Sequence, residues 1–335
     1  MDDTNYFGGN TLDRSSELRT NLTMLANMIS SENAKFLVFK RCNPLVENIG
    51  EELKLCVFNY QDVNALLLDL VDGDIDTLKS RWPVNLVFLG KERNDAKAFW
   101  FAFNTENESK SIMTSSRVFA HQRYDLFRLR VEHASIVSQA KSLFHWLDRY
   151  RFCATCGKKM ITEEAGYKRT CLDNACRSNR GVHNTCYPRT DPTAIMCVVS
   201  SDGERFLLGR KKVFPPKMYS CLAGFIEPGE TAEDAVVRET KEESGIDVTD
   251  VTYVSSQPWP FPSSLMIGFT AVATSEDITI CEEEMEDVKW FPKTEVTLAL
   301  QNESKILTIP PKQAIAHQLI KTCVLKSKTV RNSSL

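Results

Sequence analysis

Four cysteines place the tightest constraint on how this chain folds. Cys153 and Cys156 have two residues between them and are followed by Gly157. Fourteen residues separate Cys156 from Cys171, and Cys176 follows with four residues between that pair. Two short-spaced pairs at this separation suit tetrahedral zinc, each pair sitting on a tight turn that points two thiolates at one centre. Gly157 permits the backbone to fold under the metal. The surrounding segment, 151–188, is polar and basic, and its apolar content is too thin to hold a core, so the metal would supply stability that burial cannot. His183 and Cys186 lie close enough in sequence to compete for the fourth position. Four thiolates leave no open coordination place, which predicts a structural zinc site rather than a catalytic one. The other reading, a set of reduced core cysteines, fits poorly with turn-like flanks and little apolar cover.

This segment divides the 335 residues into parts of different texture. Residues 1–150 read as an α+β domain, with strands at Leu53–Tyr60, Val84–Leu89 and Ala96–Phe103 and an amphipathic helix over Ser135–Tyr150. Residues 189–325 alternate strands (Ala194–Val199, Phe206–Gly209, Val251–Val254, Met266–Ala273, Val288–Phe291) with helices at Thr231–Ser244 and Lys312–Cys323, an order that predicts an α/β/α sandwich. Residues 326–335 read as a flexible tail. The net charge of −3, from 41 basic and 44 acidic residues, excludes a chain that coats nucleic acid by bulk electrostatics, though not a local basic patch. The acidic, polar start MDDTNYFGGN carries no secretory signal, and the longest apolar runs are too short to cross a bilayer. A soluble intracellular protein with no membrane partner is the expectation. The seven scattered cysteines then read as small, reduced core residues.

The stretch Gly224–Ile246 (GFIEPGETAEDAVVRETKEESGI) carries the chemistry. Thr231 is an N-cap with Asp234 three residues on, and Gly245 is a C-terminal stop. Glu239 and Glu243 share one helical face, and Glu242 crowds them. Like charges at this spacing repel, and a hard divalent cation, which prefers carboxylate oxygens, explains why they would be retained. A solvated helix face with charge offset by Arg238 and Lys241 is the other reading of the spacing. Beyond it, Ser256–Met266 (SQPWPFPSSLM) is stiffened by three prolines between large aromatics. Trp259 and Phe261 would offer flat faces to a base or a nicotinamide ring. The competing reading is a proline-rich edge strand whose aromatics fill the core.

Gly224, Glu230, Arg238-Glu239, Glu242-Glu243, Gly245 and Ile246 resemble the Nudix box, G-x5-E-x7-R-E-U-x-E-E-x-G-U with U a bulky aliphatic. The departure is Thr240 at the first U, a β-branched residue close to valine in shape. The following SQPWPFPSS resembles the signature of the NADH pyrophosphatase branch. RFCATCG is similar to that branch's zinc-ribbon opening, YPRTDP (Tyr187–Pro192) to its entry into the catalytic domain, and AIAHQLI (Ala314–Ile320) to its last helix. NYFGGNTLDRSSELR is similar to its opening. The four-residue gap in the second cysteine pair resembles the eukaryotic form.

The resemblance implies an N-terminal α+β domain, a zinc ribbon, and a Nudix α/β/α sandwich with a mixed sheet. It implies metal-dependent hydrolysis of the pyrophosphate of NADH or NAD+ to nicotinamide mononucleotide and AMP, and it also allows removal of NAD caps from RNA. Glu239, Glu242, Glu243 and Glu284 would be the catalytic carboxylates, holding Mg²⁺ or Mn²⁺ with the Ala223 carbonyl, while Arg238 orients Glu230. Glu284 is picked from the acidic run Glu282–Asp287 by alignment through Asp277-Ile278 and Trp290. Tyr187, Phe225, the segment Gln257, Pro258, Trp259, Pro260, Phe261, Pro262, Ser263 and Ser264, and Ala316 would contact the dinucleotide, with Ala223 and Glu284 beside it. Zinc would be held by Cys153, Cys156, Cys171 and Cys176. The expected partners are NADH or NAD+, NAD-capped RNA, and a second copy in a homodimer. The end Ser333-Ser334-Leu335 lacks the basic middle residue of a peroxisomal tripeptide, which leaves cytoplasm or peroxisome as the compartment. The rival reading is a catalytically silent module that binds nucleotide or a partner through its ribbon; an intact glutamate set counts against it.

Overall fold

A computed structural model describes residues 5–95, 97–107, 111–180 and 186–329. His183, the tripeptide Ser333–Leu335 and the first residue of the predicted strand Ala96–Phe103 lie outside the described residues. The chain forms two compact units: Phe7–Thr190 with Trp259–Ser263, and the remainder, Met1–Tyr6, Asp191–Pro258 and Ser264–Leu335.

The N-terminal unit is built on β1 (Leu12–Asp13), α1 (Leu22–Ile29), β2 (Ala34–Lys40), β3 (Asn43–Ile49), β4 (Glu52–Leu55), α2 (Tyr60–Leu70), β5 (Leu86–Glu92), β6 (Phe99–Asn104), β7 (Arg117–Phe119), α3 (Arg123–Leu126) and α4 (Val131–Arg149). The sheet order is β1-β5-β6-β2-β3-β4, with β7 on β3. Of its pairings β2·β6 is parallel and the others antiparallel. Alternation along β2 decides the layers. Ala34, Phe36 and Val38 enter a core with Leu25 of α1 and Val63 and Leu66 of α2. Phe39 points the other way, 5.1 Å from the Phe144 ring of α4. The expected strand Leu53–Tyr60 stops at Leu55, because Asn59 and Asp62 form a capping box that starts α2 at Tyr60.

The ribbon hairpin, β8 (Met160–Glu163) against β9 (Lys168–Cys171), follows. Its buried apolar cluster consists of Cys153, Met160, Cys171 and Cys176, with Cys186 packed alongside. A segment whose core is mostly its own cysteines has little else to hold it.

The C-terminal unit comprises β10 (Asp191–Val199), β11 (Arg205–Arg210), β12 (Leu222–Phe225), α5 (Ala232–Ser244), β13 (Val248–Trp259), β14 (Ser264–Ala273), β15 (Asp287–Pro292), α6 (Lys293–Leu300) and α7 (Ile315–Thr329). The sheet runs β13-β14-β10-β11-β15, with β12 on β10. β10·β14 is parallel and the other β10 and β11 pairings are antiparallel. Ala194, Met196 and Val198 face Ala235 and Val236 of α5. Ile195 and Cys197 face Val296 of α6 and Leu319 of α7. A mixed sheet with helices on both faces is the expected sandwich. Among the described residues no helix is long and apolar enough to cross a membrane.

Gly245 ends α5 with φ of 75° and donates its N–H to the Lys241 carbonyl. A Cβ there would lie 2.9 Å from Thr279 Cβ and 3.0 Å from Thr279 N. Gly245→Ala is therefore expected to cost on the order of 1 kcal/mol or more, read as a lowered midpoint in urea denaturation.

Candidate active site

Helix α5 begins with a reciprocal capping box: the Thr231 side chain accepts from Asp234 N, and the Asp234 carboxylate accepts from Thr231 N. The helix buries Ala235, Val236, Glu239, Thr240, Glu243 and Ser244, so two ionisable residues share its packed face. Thr240, the departure from the box pattern, is fully buried, and its hydroxyl donates to the Val236 carbonyl at 2.7 Å. The core accepts it because its one polar group is paired within the helix.

Glu239 is 8% exposed and Glu243 1%. Arg238 ties the group together. Its Nε donates to Glu230 Oε1 at 2.7 Å and its Nη2 to Glu230 Oε2 at 2.9 Å, a bidentate pair. Nη1 reaches Glu239 Oε1 at 2.9 Å and Glu242 Oε2 at 2.8 Å, and Nη2 also donates to the Phe225 carbonyl at 2.9 Å. Hydrogen bonding from Arg238, with help from the Glu227 N–H, holds the Glu230 carboxyl down to about 2. Burial raises Glu239 above its ordinary value, and burial pushes Glu243 up to about 7 against the pull of Lys211.

Glu243 shows most clearly that this face suits a cation. Its Oε2 accepts from Ala223 N at 3.2 Å. Its buried Oε1 accepts no hydrogen bond among the described residues and has Lys211 Nζ at 3.2 Å as its positive neighbour. Gly224 leaves the space into which Glu239 reaches: a Cβ at Gly224 would sit 1.8 Å from Glu239 Cδ. A set of oxygen donors held against a strand backbone is what hard divalent cations take, so these residues fit such a cation. Glu284 stands exposed in a turn closed by Met285 N donating to the Cys281 carbonyl. Its charge contributes to the raised Glu239 value, which puts it within electrostatic reach of the helix carboxylates.

The structure thus brings Glu239, Glu242, Glu243 and Ala223 together, with Glu284 in reach, and leaves Phe225 61% exposed at the end of β12. Gln257 is one of the expected dinucleotide contacts. It is buried, and its amide bonds backbone: Nε2 donates to the Tyr6 and Gln313 carbonyls at 2.9 and 2.8 Å, and Oε1 accepts from Ile315 N at 2.8 Å. Its donors are committed to fixing the start of α7. Ala316 is buried, and its carbonyl accepts from the Cys221 thiol at 3.8 Å. Pro258 and Ser264 are half-buried.

Trp259, Pro260, Phe261, Pro262 and Ser263 belong to the N-terminal unit. There the Trp259 and Phe261 rings pack edge-on, 6.3 and 5.9 Å from Phe7, with Arg123 at 5.7 and 4.9 Å from their centroids. Pro260 and Ser263 are buried, and Pro262 is half-buried. Tyr187, in the same unit, is 57% exposed. Lys211 is the residue at this site that sequence reasoning missed; a lysine pair in a loop carries no spacing signal.

The Sγ atoms of Cys153, Cys156, Cys171 and Cys176 lie within 4.8 Å of one another, with Cys153–Cys176 at 3.8 Å and Cys156–Cys171 at 3.5 Å. A tetrahedron with zinc–sulfur bonds of about 2.3 Å has edges of about 3.8 Å, so the four thiols fit zinc. The turn at Gly157, φ 73°, closes through Gly157 N to the Cys153 carbonyl and Cys153 N to the Lys158 carbonyl, each 2.8 Å. Cys186 instead pairs with Arg169 through the backbone.

Cys171→Ser is expected to lower bound zinc, measured by atomic emission, from about one ion per chain to near none, with a fall in thermal midpoint. The Arg238–Glu230 pair contributes stability fully above the carboxyl's ordinary value of 4.5 and loses it as pH falls toward about 2. The stability gap between the wild type and Glu230→Gln should therefore narrow over that range in urea titrations.

Residues 190–310 match the NUDIX domain family model, 148–178 the NADH pyrophosphatase zinc ribbon domain, and 33–146 the NADH pyrophosphatase-like rudimentary NUDIX domain. A NAD-capped RNA hydrolase of Macaca fascicularis is 43% identical over 95% of this chain and 72% of its own. A NAD-capped RNA hydrolase of Schizosaccharomyces pombe is 35% identical over 94% and 91%. A mitochondrial NAD(P)H pyrophosphatase of Homo sapiens is 40% identical over 62% and 60%. With three domain matches in the order of its own architecture, and relatives aligned over nearly its whole length, this chain belongs to the Nudix hydrolase family, in the NADH pyrophosphatase branch that carries a zinc ribbon.

Proposed function

We propose that this chain hydrolyses the pyrophosphate of NADH and NAD+ to nicotinamide mononucleotide and AMP, and that it removes NAD caps from RNA by the same reaction. The observation that carries the reading is the buried pair Glu239 and Glu243 set against the β12 backbone, with Lys211 as the charged neighbour of the Glu243 Oε1 oxygen. The names of the relatives, NAD-capped RNA hydrolase and NAD(P)H pyrophosphatase, support the substrate class.

Glu239, Glu243 and the Ala223 carbonyl would hold Mg²⁺ or Mn²⁺, the ions an all-oxygen donor set suits, with Glu242 and Glu284 as further ligands. Bound there, the cations neutralise phosphate charge and activate water. Water forms a bond to phosphorus as the anhydride P–O bond breaks. The two halves leave as monophosphates and a proton is released. Arg238 keeps Glu239 and Glu242 aimed while Glu230 compensates its charge. The Gly224 backbone admits the Glu239 carboxyl, and the Ala223 N–H fixes one Glu243 oxygen. Exposed Phe225, at the end of β12, offers aromatic surface to a base or nicotinamide. Gln257 ties β13 to the start of α7.

Glu243→Gln removes a charged ligand while keeping its shape. Loss of several kcal/mol of charge stabilisation corresponds to a fall in kcat on the order of 10³ or more. The expected result is NADH hydrolysis, read as AMP release, reduced to near background with an unchanged circular dichroism spectrum. Full-rate turnover by the variant would refute the ligand assignment.

A further inference from the structure

The N-terminal unit contains a cavity of about 750 Å³, lined wholly by residues between Arg19 and Arg169. That volume lies within the roughly 300–1,000 Å³ of sites that take a small molecule, and its walls are charged. The acids among them already have partners: Asp148 pairs with Arg151, Glu163 and Glu164 with Lys168 at 3.3 and 3.8 Å, and Glu106 with Arg41 at 3.2 Å. Four lining cations, Arg19, Arg81, Lys159 and Arg169, have no carboxylate within 4.0 Å among the described residues.

Two of the four are built into the wall. Arg169 is 3% exposed. Its Nη1 donates to Thr162 Oγ1 at 3.2 Å and its Nη2 to the Leu147 carbonyl at 2.6 Å, both neutral acceptors, while its buried Nε has no partner. Arg19 stacks on Tyr167 with Cζ 3.5 Å from the ring centroid, and its buried Nε is likewise unpaired. A desolvated cation without a paired carboxylate is disfavoured; Glu164 and Glu17 act on Arg19 only from beyond ion-pair distance, so an anion entering this cavity would add attraction at close range. Arg81 and Lys159, both exposed on the lining, add two charges open to solvent. Planar guanidinium donors match phosphate oxygens better than any other common anion donor.

We propose that this cavity is a phosphate-recognition site, taking a nucleotide or the sugar–phosphate backbone of a nucleic-acid strand, with Arg81 and Lys159 as its solvent-facing contacts and Arg19 and Arg169 as its fixed charges. It stands apart from the hydrolytic reading and survives if that reading fails.

The test titrates the full chain, zinc-loaded and without added magnesium, with AMP and separately with a decamer of oligouridylate bearing a 5′ hydroxyl. The same titrations are run on the double variant Arg81→Glu with Lys159→Glu. A strand that loses two phosphate contacts should bind at least tenfold more weakly, and the slope of its log affinity against log salt should flatten by about 1.4. NADH hydrolysis by the variant should match the wild type. AMP binding that depends on Arg81 and Lys159 assigns a nucleotide site, and dependence for the decamer alone assigns a strand groove. The milder pair Arg81→Gln with Lys159→Gln, weakened in the same direction by less, guards against a folding fault in the charge reversal. Binding of neither ligand, or binding by the double variant as tight as by the wild type, overturns the proposal.

Discussion

Arg238 is the centre on which the catalytic face depends. Three carboxylates at the end of one helix repel one another, and two of them are packed away from water, where repulsion is felt more strongly. One guanidinium answers this by reaching Glu230, Glu239, Glu242 and the Phe225 carbonyl together. Glu230 lies outside the helix and compensates the arginine's charge, so Arg238 positions Glu239 without cancelling it. The Glu239–Glu243 pair is only partly compensated, by the shared Arg238 and by Lys211, and a divalent cation would complete it. Lys211, a flexible side chain 3.2 Å from Glu243, supplies a single movable charge there.

The sheet explains why this cluster can be buried at all. Strand β12 lies on β10, whose inward residues alternate between α5 on one face and α6 and α7 on the other. Helix α5 is pressed onto the sheet by Ala235 and Val236, and the next turns of the same face bring Glu239 and Glu243 against Ala223 and Gly224. A side chain at Gly224 would close the space. The ribbon is the opposite case: with cysteines as most of its core, a zinc ion held by the four thiols would account for its fold.

Residues whose chemistry is tied to spacing were legible in the sequence. The cysteine pairs, the capping box at Thr231 and the four-residue step from Glu239 to Glu243 all appear where the pattern puts them, because turn and helix geometry are local. Five strands of the C-terminal unit were legible from their apolar runs, although β13 extends well beyond Val251–Val254 and the short β12, Leu222–Phe225, was not assigned. The N-terminal half was harder. Leu53–Tyr60 reads as one apolar run, yet Asn59 and Asp62 cap a helix that starts inside it; the local cap outweighs the run. The run of β2 was not assigned, since a strand buried on both faces shows no polar alternation, and β3, half polar with a proline at its second residue, was not assigned either. The long-range roles were invisible. Nothing near Gln257 announces that its amide bonds Tyr6, Gln313 and Ile315, and nothing near Lys211 announces Glu243.

The central claim is that the oxygens of Glu239, Glu243 and Ala223 surround a divalent cation beneath the scissile pyrophosphate. Anomalous scattering from manganese, in crystals grown with a non-hydrolysable NAD analogue, tests it most directly. The account predicts a peak within roughly 2.0–2.6 Å of those three oxygens and in contact with the analogue's phosphates. A peak elsewhere, with the Glu239 and Glu243 carboxylates bound only to protein, would contradict it.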